Sequence, residues 1–163
     1  MKVCIIGDGL TSLSLAKNLI NKKIYVDIYQ QSKKNISISN RTIGMSKNNF
    51  DFFRSEIQDI KKNYFWGINK IEIYSEKTKK DKILDFKKDK NNLFFMLKNN
   101  ELYRSLKDQL LKNKLFKKKI ITSVDSYQKL MNKKQYDLII NCNPYNFISK
   151  KFFLKKIRKN YKN

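Results

Sequence analysis

The apolar positions at the start of the chain fall into three blocks with three different periods. Val3 to Ile6 is an unbroken apolar run, read as a strand. Residues 10–20 carry apolar side chains at helical spacing. After the polar break Asn21-Lys22-Lys23, residues 24–29 are rich in β-branched and aromatic side chains. Gly7-Asp8-Gly9 separates the first two blocks. The predicted order is strand, tight glycine turn, helix, strand: the opening βαβ unit of a dinucleotide-binding fold.

Further along the pattern is more broken. A polar connection, QSKKNISISN, leads to Arg41-Thr42-Ile43-Gly44-Met45-Ser46, and Ser46 is placed to cap a helix carrying Phe50, Phe53 and Ile57. After Trp66-Gly67, Ile71 and Ile73 alternate with polar residues, which predicts a half-buried strand over residues 68–74. Two more short strands are expected at 83–86 and 93–97, with the lysine-rich KTKKDK and KKDK as solvated hairpin tips. Asn99 or Asn100 would cap an amphipathic helix whose face is Leu102, Leu106 and Leu110. A strand at 120–124, a short helix around 126–131 and a β-run at 136–142 complete the reading. The expected fold class is α/β: a Rossmann-like sheet with a partial second β-sheet inserted near residues 66–97, the whole of 1–163 forming one nucleotide-binding domain.

The glycine turn carries the candidate chemistry. Gly7 lets the chain leave the first strand sharply, and Gly9 leaves room for a pyrophosphate to approach the backbone. The helix that starts at Leu10 offers N–H groups and a positive dipole end to that anion. Ser12 stands at the third position of the G-x-G-x-x-G pattern, where helix packs on strand, and is little larger than the alanine often accepted there. The ribose position, about 20 residues on, usually holds Asp or Glu; here it is Gln30, which accepts a hydrogen bond without the charge that strengthens it. The same glycines would also serve a turn that binds nothing.

Composition adds a charge of +23, from 37 Lys and Arg against 14 Asp and Glu. Such a field attracts nucleic acid or acidic lipid. Yet Lys, Asn, Ile, Phe and Tyr dominate together, all encoded by codons rich in A and T, and lysine far exceeds the arginine that bidentate base contacts favour. Nucleic acid is therefore not the expected partner. The absence of histidine excludes His-based metal sites and His-dependent triads. Cys4 and Cys142, both within predicted apolar strands, read as small buried hydrophobes of a reducing compartment. No apolar run reaches the length of a membrane span, so the expected location is the cytoplasm. In the last stretch, KKFFLKKIRKNYKN, Phe153, Ile157 and Tyr161 would share a helical face; a peripheral anchor at the inner face of the membrane is one reading, a truncated edge the other.

The βαβ start, the RTIGMS segment, Trp66 with the Ile71-x-Ile73 strand and the NELYRSLKDQL helix occur in an order that resembles the N-terminal half of the flavin-dependent aromatic hydroxylases. Within that family the chain is most similar to the UbiH-like branch of ubiquinone biosynthesis. The resemblance implies FAD as cofactor, NAD(P)H as electron donor and a prenylated phenol or quinone precursor as the ring hydroxylated. It also implies that Arg41, which matches an Arg-x-x-Gly/Ala-x-Ser segment, contacts the FAD. Two departures stand out. Asp137-Leu138-Ile139-Ile140 matches the family's later strand, but Asn141-Cys142-Asn143-Pro144 replaces the Asp-Gly pair that should follow. The family's second half, with its Gly-Asp flavin segment and much of the substrate cavity, has no counterpart in these 163 residues. A missing C-terminal half is then the partner to look for, and the chain alone is expected to turn over no substrate.

Two other readings compete. A non-catalytic basic module binding nucleic acid or anionic membrane would use the net charge. A small NAD(P)-dependent reductase is weaker, because the Tyr-x-x-x-Lys pair of short-chain reductases is absent. No catalytic acid, base or nucleophile is identified.

Overall fold

The computed structural model describes residues 1–31, 41–57, 60–76, 81–87, 92–132 and 134–153. The chain divides into two compact units, Met1–Lys34 with Leu110–Asn163, and Asn35–Gln109. In chain order the elements begin β1 (Lys2–Ile6), α1 (Leu10–Asn21), β2 (Tyr25–Gln31), β3 (Thr42–Ser46) and α2 (Lys47–Glu56). A 3-10 turn (Lys62–Tyr64) precedes β4 (Trp66–Ile68), β5 (Lys70–Tyr74), β6 (Lys82–Lys87) and β7 (Phe94–Lys98). Then come α3 (Asn99–Leu111), β8 (Phe116–Ile121), α4 (Val124–Asn132), β9 (Leu138–Asn141) and α5 (Phe147–Phe152).

The first unit is a parallel four-stranded sheet in the order β8-β2-β1-β9. This is the α/β, Rossmann-like architecture expected from the opening pattern. β1 is central, and Val3, Cys4, Ile5 and Ile6 are at most 1% exposed, which is why its apolar run is continuous rather than alternating. Cys4 and Ile6 face one side, where they pack with Ile121, Tyr127 and Leu130 of β8 and α4 and with Ile148 of α5. Val3 and Ile5 therefore face the other side, and α1, which buries Leu13, Ala16 and Ile20, packs on β1 and β2. The helix ends where the lysine pair interrupts the pattern. The N–H of Lys23 donates to the Ile20 carbonyl (2.8 Å) and that of Ile24 to Leu19 (3.1 Å), closing the last turn with Lys23 at φ 61°.

The second unit holds an antiparallel three-stranded sheet, β3-β7-β4, and a separate two-stranded hairpin, β5-β6. Ser46 caps α2 as its sequence position suggests: its hydroxyl accepts from the Asn49 N–H at 3.3 Å. α2 packs on β3 and β7. α3 buries Leu102, Leu106 and Leu110, the face anticipated from their spacing.

Several local expectations shift. Thr42–Ser46, for which the sequence pattern predicts no element, is a strand paired with β7. The single strand expected over 68–74 is two, because Asn69 separates a segment paired with β7 from one paired with β6. The strand expected at 120–124 is Phe116–Ile121, with its lysines inside the strand and its two ends buried. Asn99 and Asn100 lie within the first turn of α3 rather than before it; the Asn99 N–H donates to the Arg41 carbonyl, carrying the β3–β7 ladder one residue further. Cys142 follows β9 and is half-buried, whereas Cys4 is fully buried and its thiol is pushed up to about 12, chiefly by burial and then by the Asp27 charge. Most of the two lysine-rich tips, most of the QSKKNISISN connection, and Ile157 and Tyr161 lie outside the described residues. Among the described residues no helix is long and apolar enough to cross a membrane.

Candidate nucleotide-binding site

In the parallel sheet the chain runs from β1 outward to β2 and β8, while β9 lies on the opposite side of β1. The carboxyl ends of β1 and β9 therefore flank a topological switch point, where open α/β sheets place their ligands. The Gly7-Asp8-Gly9 turn occupies that position.

Its two glycines do different work. Gly7 is buried, has φ +118° and donates its N–H to the Tyr29 carbonyl at 2.9 Å. A Cβ there would stand 3.1 Å from the Ser12 hydroxyl and 3.4 Å from Asn143, so both the conformation and the space exclude a side chain. Gly9 is exposed, extended (φ −74°, ψ 177°), and a Cβ on it would meet nothing within 4 Å. Among the described residues, neither space nor backbone conformation requires glycine at position 9. It is the surface that a ligand, not the fold, would need kept bare.

Other features of the turn favour an anion. Gly9 is the N-cap of α1 and gives no side-chain cap, and the first helical turn, from Leu10, has no acidic residue. The start of the helix thus keeps its positive end. The Ser12 hydroxyl is buried without a hydrogen-bond partner among the described residues. Such an orphan is costly, and it sits at the foot of the turn. Asp8 works in the other direction. Its carboxylate is buried in the turn, and Lys118 lies 3.9 Å from it as partial compensation.

Gln30 lies near the carboxyl end of β2, paired with Ile120 and half-buried, at the same edge of the sheet as the turn. The structure thus brings Gly7, Gly9, Leu10, Ser12 and Gln30 to one edge. Arg41 belongs to the second unit, exposed at the start of β3, its carbonyl accepting from Asn99.

Sequence reasoning missed two side-chain networks that hold this edge. The first replaces the expected Asp-Gly pair. The Asn141 amide donates to the Ser149 hydroxyl (2.7 Å), Asn146 donates to the Asn141 carbonyl oxygen (2.7 Å), and the Ser149 hydroxyl donates to the Asn143 backbone carbonyl (2.8 Å). These bonds fix the loop that presents Asn143 to Gly7. The repeated asparagines around Pro144 were the available signal.

The second network lies on the sheet face under α4. Asp27, 2% exposed, accepts from Lys119 (2.7 Å) and from the Tyr136 hydroxyl (2.6 Å), with Lys2 at 3.4 Å. Burial alone would raise the Asp27 carboxyl, but the hydrogen bonds from Lys119 and Tyr136 and the charges of Lys119 and Lys2 outweigh it and hold it below its ordinary value. Burial likewise opposes the Lys119 charge, yet the bond to Asp27 keeps that ammonium above its usual range. This network joins β1, β2, β8 and the segment before β9; it is a clamp, not a ligand site.

No protein-family model matches the chain, and no curated protein sequence matches it. Its fold is shared by solved hydroxylases and monooxygenases. PqsL of Pseudomonas aeruginosa, in complex with 2-aminobenzoylacetate, superposes with a TM-score of 0.60 at 14% identity, over 74% of this chain and 33% of its own. The 2,6-dihydroxypyridine-3-hydroxylase from Arthrobacter nicotinovorans gives 0.52 at 14% identity, over 72% and 28%. HpxO of Klebsiella pneumoniae, complexed with FAD and uric acid, gives 0.54 at 19% identity, over 72% and 30%. At these identities the likeness is one of fold, and the chain spans a third or less of each of these proteins.

Proposed function

We propose that this chain is the FAD-binding portion of a flavin-dependent monooxygenase, one that hydroxylates a prenylated aromatic ring in ubiquinone biosynthesis. The observation that carries the FAD assignment is the β1–α1 turn: a Gly7 that the fold demands beside a Gly9 that it does not, at the switch point of a sheet shared with an FAD-complexed enzyme. Gly7, Gly9 and the first turn of α1 from Leu10 would receive the pyrophosphate. Ser12 would gain the hydrogen-bond partner it lacks, either from the ligand or from a water held beneath it. Gln30 would accept from a ribose hydroxyl; the assignment of Arg41 to the FAD rests on the sequence resemblance alone. FAD, when bound, supplies the redox chemistry, with NAD(P)H as the electron source. The ubiquinone assignment rests on the sequence resemblance alone.

Titrating the purified chain into FAD and following flavin fluorescence tests the reading. Saturable quenching, reduced by a competing excess of ADP, is the expected result. A folded chain that leaves the emission unchanged would remove the FAD assignment. No hydroxylation of a prenylated phenol is expected from these 163 residues alone, since they correspond to a third or less of the monooxygenases that share the fold.

A further inference from the structure

The second unit carries a groove of about 620 Å³ lined by Phe50, Asp51 and Arg54 of α2, by Lys62 and Phe65 around the 3-10 turn, and by Phe95 of β7. It uses no residue of the glycine turn and does not depend on the FAD reading. Its floor is aromatic. Phe50 stacks on Phe95 with centroids 3.7 Å apart, and Phe65 meets Phe50 edge-on at 5.0 Å. All three rings remain only half-buried, so the cluster still offers apolar ring surface to the groove.

Its rim is cationic. The Arg54 guanidinium lies 5.8 Å from the Phe50 ring centroid, a cation–π contact. Among the described residues no carboxylate pairs with Arg54 or with Lys62. The one acid in the lining, Asp51, is already held by Lys47 at 2.5 Å. Positioned by an aromatic ring and with no acid partner among the described residues, the guanidinium offers its N–H fork to a planar carboxylate, with Lys62 as a second positive charge.

We infer that this groove binds a small planar aromatic carboxylate, its ring against Phe65 and Phe95 and its carboxylate between Arg54 and Lys62. The apolar floor selects the ring and the rim cations select the charge. A neutral aromatic would lose the rim contacts, and an aliphatic acid would lose the stacking surface.

The test is an amide-resolved NMR titration of the full chain with 2-naphthoate, 2-naphthalenemethanol and cyclohexanecarboxylate at fixed ionic strength. Expected are saturable shifts confined to α2, the 3-10 turn and β7 with 2-naphthoate, and affinities at least about tenfold weaker for the other two probes. Arg54→Gln should weaken 2-naphthoate by about tenfold while the chain stays folded, with at most a small drop in melting temperature from the lost Phe50 contact, and Lys23→Gln in the other unit should leave binding unchanged. Three outcomes would overturn the inference: shifts scattered over the lysine-bearing surface, equal binding of the neutral alcohol, or full affinity in Arg54→Gln. Absence of any saturable shift in the folded chain would overturn it as well.

Discussion

The two units are built from strands of opposite character. β1 is buried on both faces, with Ile5 wholly inaccessible. In β6, by contrast, every residue is exposed, and Ile83, Leu84 and Phe86 keep 59%, 47% and 48% of their surface in contact with solvent. A parallel strand between helices has no face to leave in water, so burial sets its sequence at every position. A two-stranded hairpin can be made by local pairing with little burial, and its own apolar contacts then contribute little to stability. The fully buried strand β1 belongs to the sheet whose edge carries the glycine turn.

Substitution should expose that contrast most strongly. Ile5→Ala is expected to destabilise the first unit by about 3 kcal/mol, the usual cost of emptying a packed core position. Leu84→Ser should cost less than about 0.5 kcal/mol, as at exposed sites. Chemical denaturation of both variants checks the pair, and comparable losses would remove the distinction between the units.

The Asp27 clamp gives the next effect. Asp27→Asn leaves Lys119 without its carboxylate partner and should cost about 2–3 kcal/mol at neutral pH. Its pH dependence has a definite sign. Because the folded-state Asp27 carboxyl is held low, its contribution is present above the ordinary carboxylate range and is lost as pH falls through the depressed folded value. Lys119 is held high, so its contribution persists below the ordinary lysine range and fades as pH rises through the raised folded value. The difference between native and Asp27→Asn melting temperatures should therefore be flat at neutral pH and shrink at both extremes.

The smallest expected change is a gain. Lys23 holds a left-handed conformation at the end of α1, where glycine is free of steric cost. Lys23→Gly should stabilise the first unit by about 1 kcal/mol, readable as a higher melting temperature.

The same contrast explains what could be read in advance. The βαβ opening was legible because burial on both faces of β1 leaves an unbroken apolar run, and because Gly7 and Lys22-Lys23 stand where the chain must turn. The Ser46 cap and the Leu102, Leu106, Leu110 face were legible because both depend on near neighbours in sequence. The division between β4 and β5 was not, since alternation continues through Asn69 while the hydrogen-bonding partner changes. β8 was displaced in the reading because three lysines sit in the middle of it. One of them, Lys119, is there for Asp27, a partner 92 residues away that local pattern cannot reveal. At the site, the glycine turn was visible, but the asparagine network beside it became apparent only once β9 was placed against β1.

The central claim is that the bare backbone at Gly9 exists for a dinucleotide. The most direct measurement is an FAD titration of Gly9→Val beside the native chain, with thermal melts of both. The φ, ψ of Gly9 suit any residue and its Cβ would meet nothing within 4 Å among the described residues, so the variant should remain folded, destabilised only by the about 1 kcal/mol that valine costs at an N-cap, while losing flavin quenching. Undiminished FAD binding by a fully folded Gly9→Val chain would contradict the assignment of that turn to the cofactor.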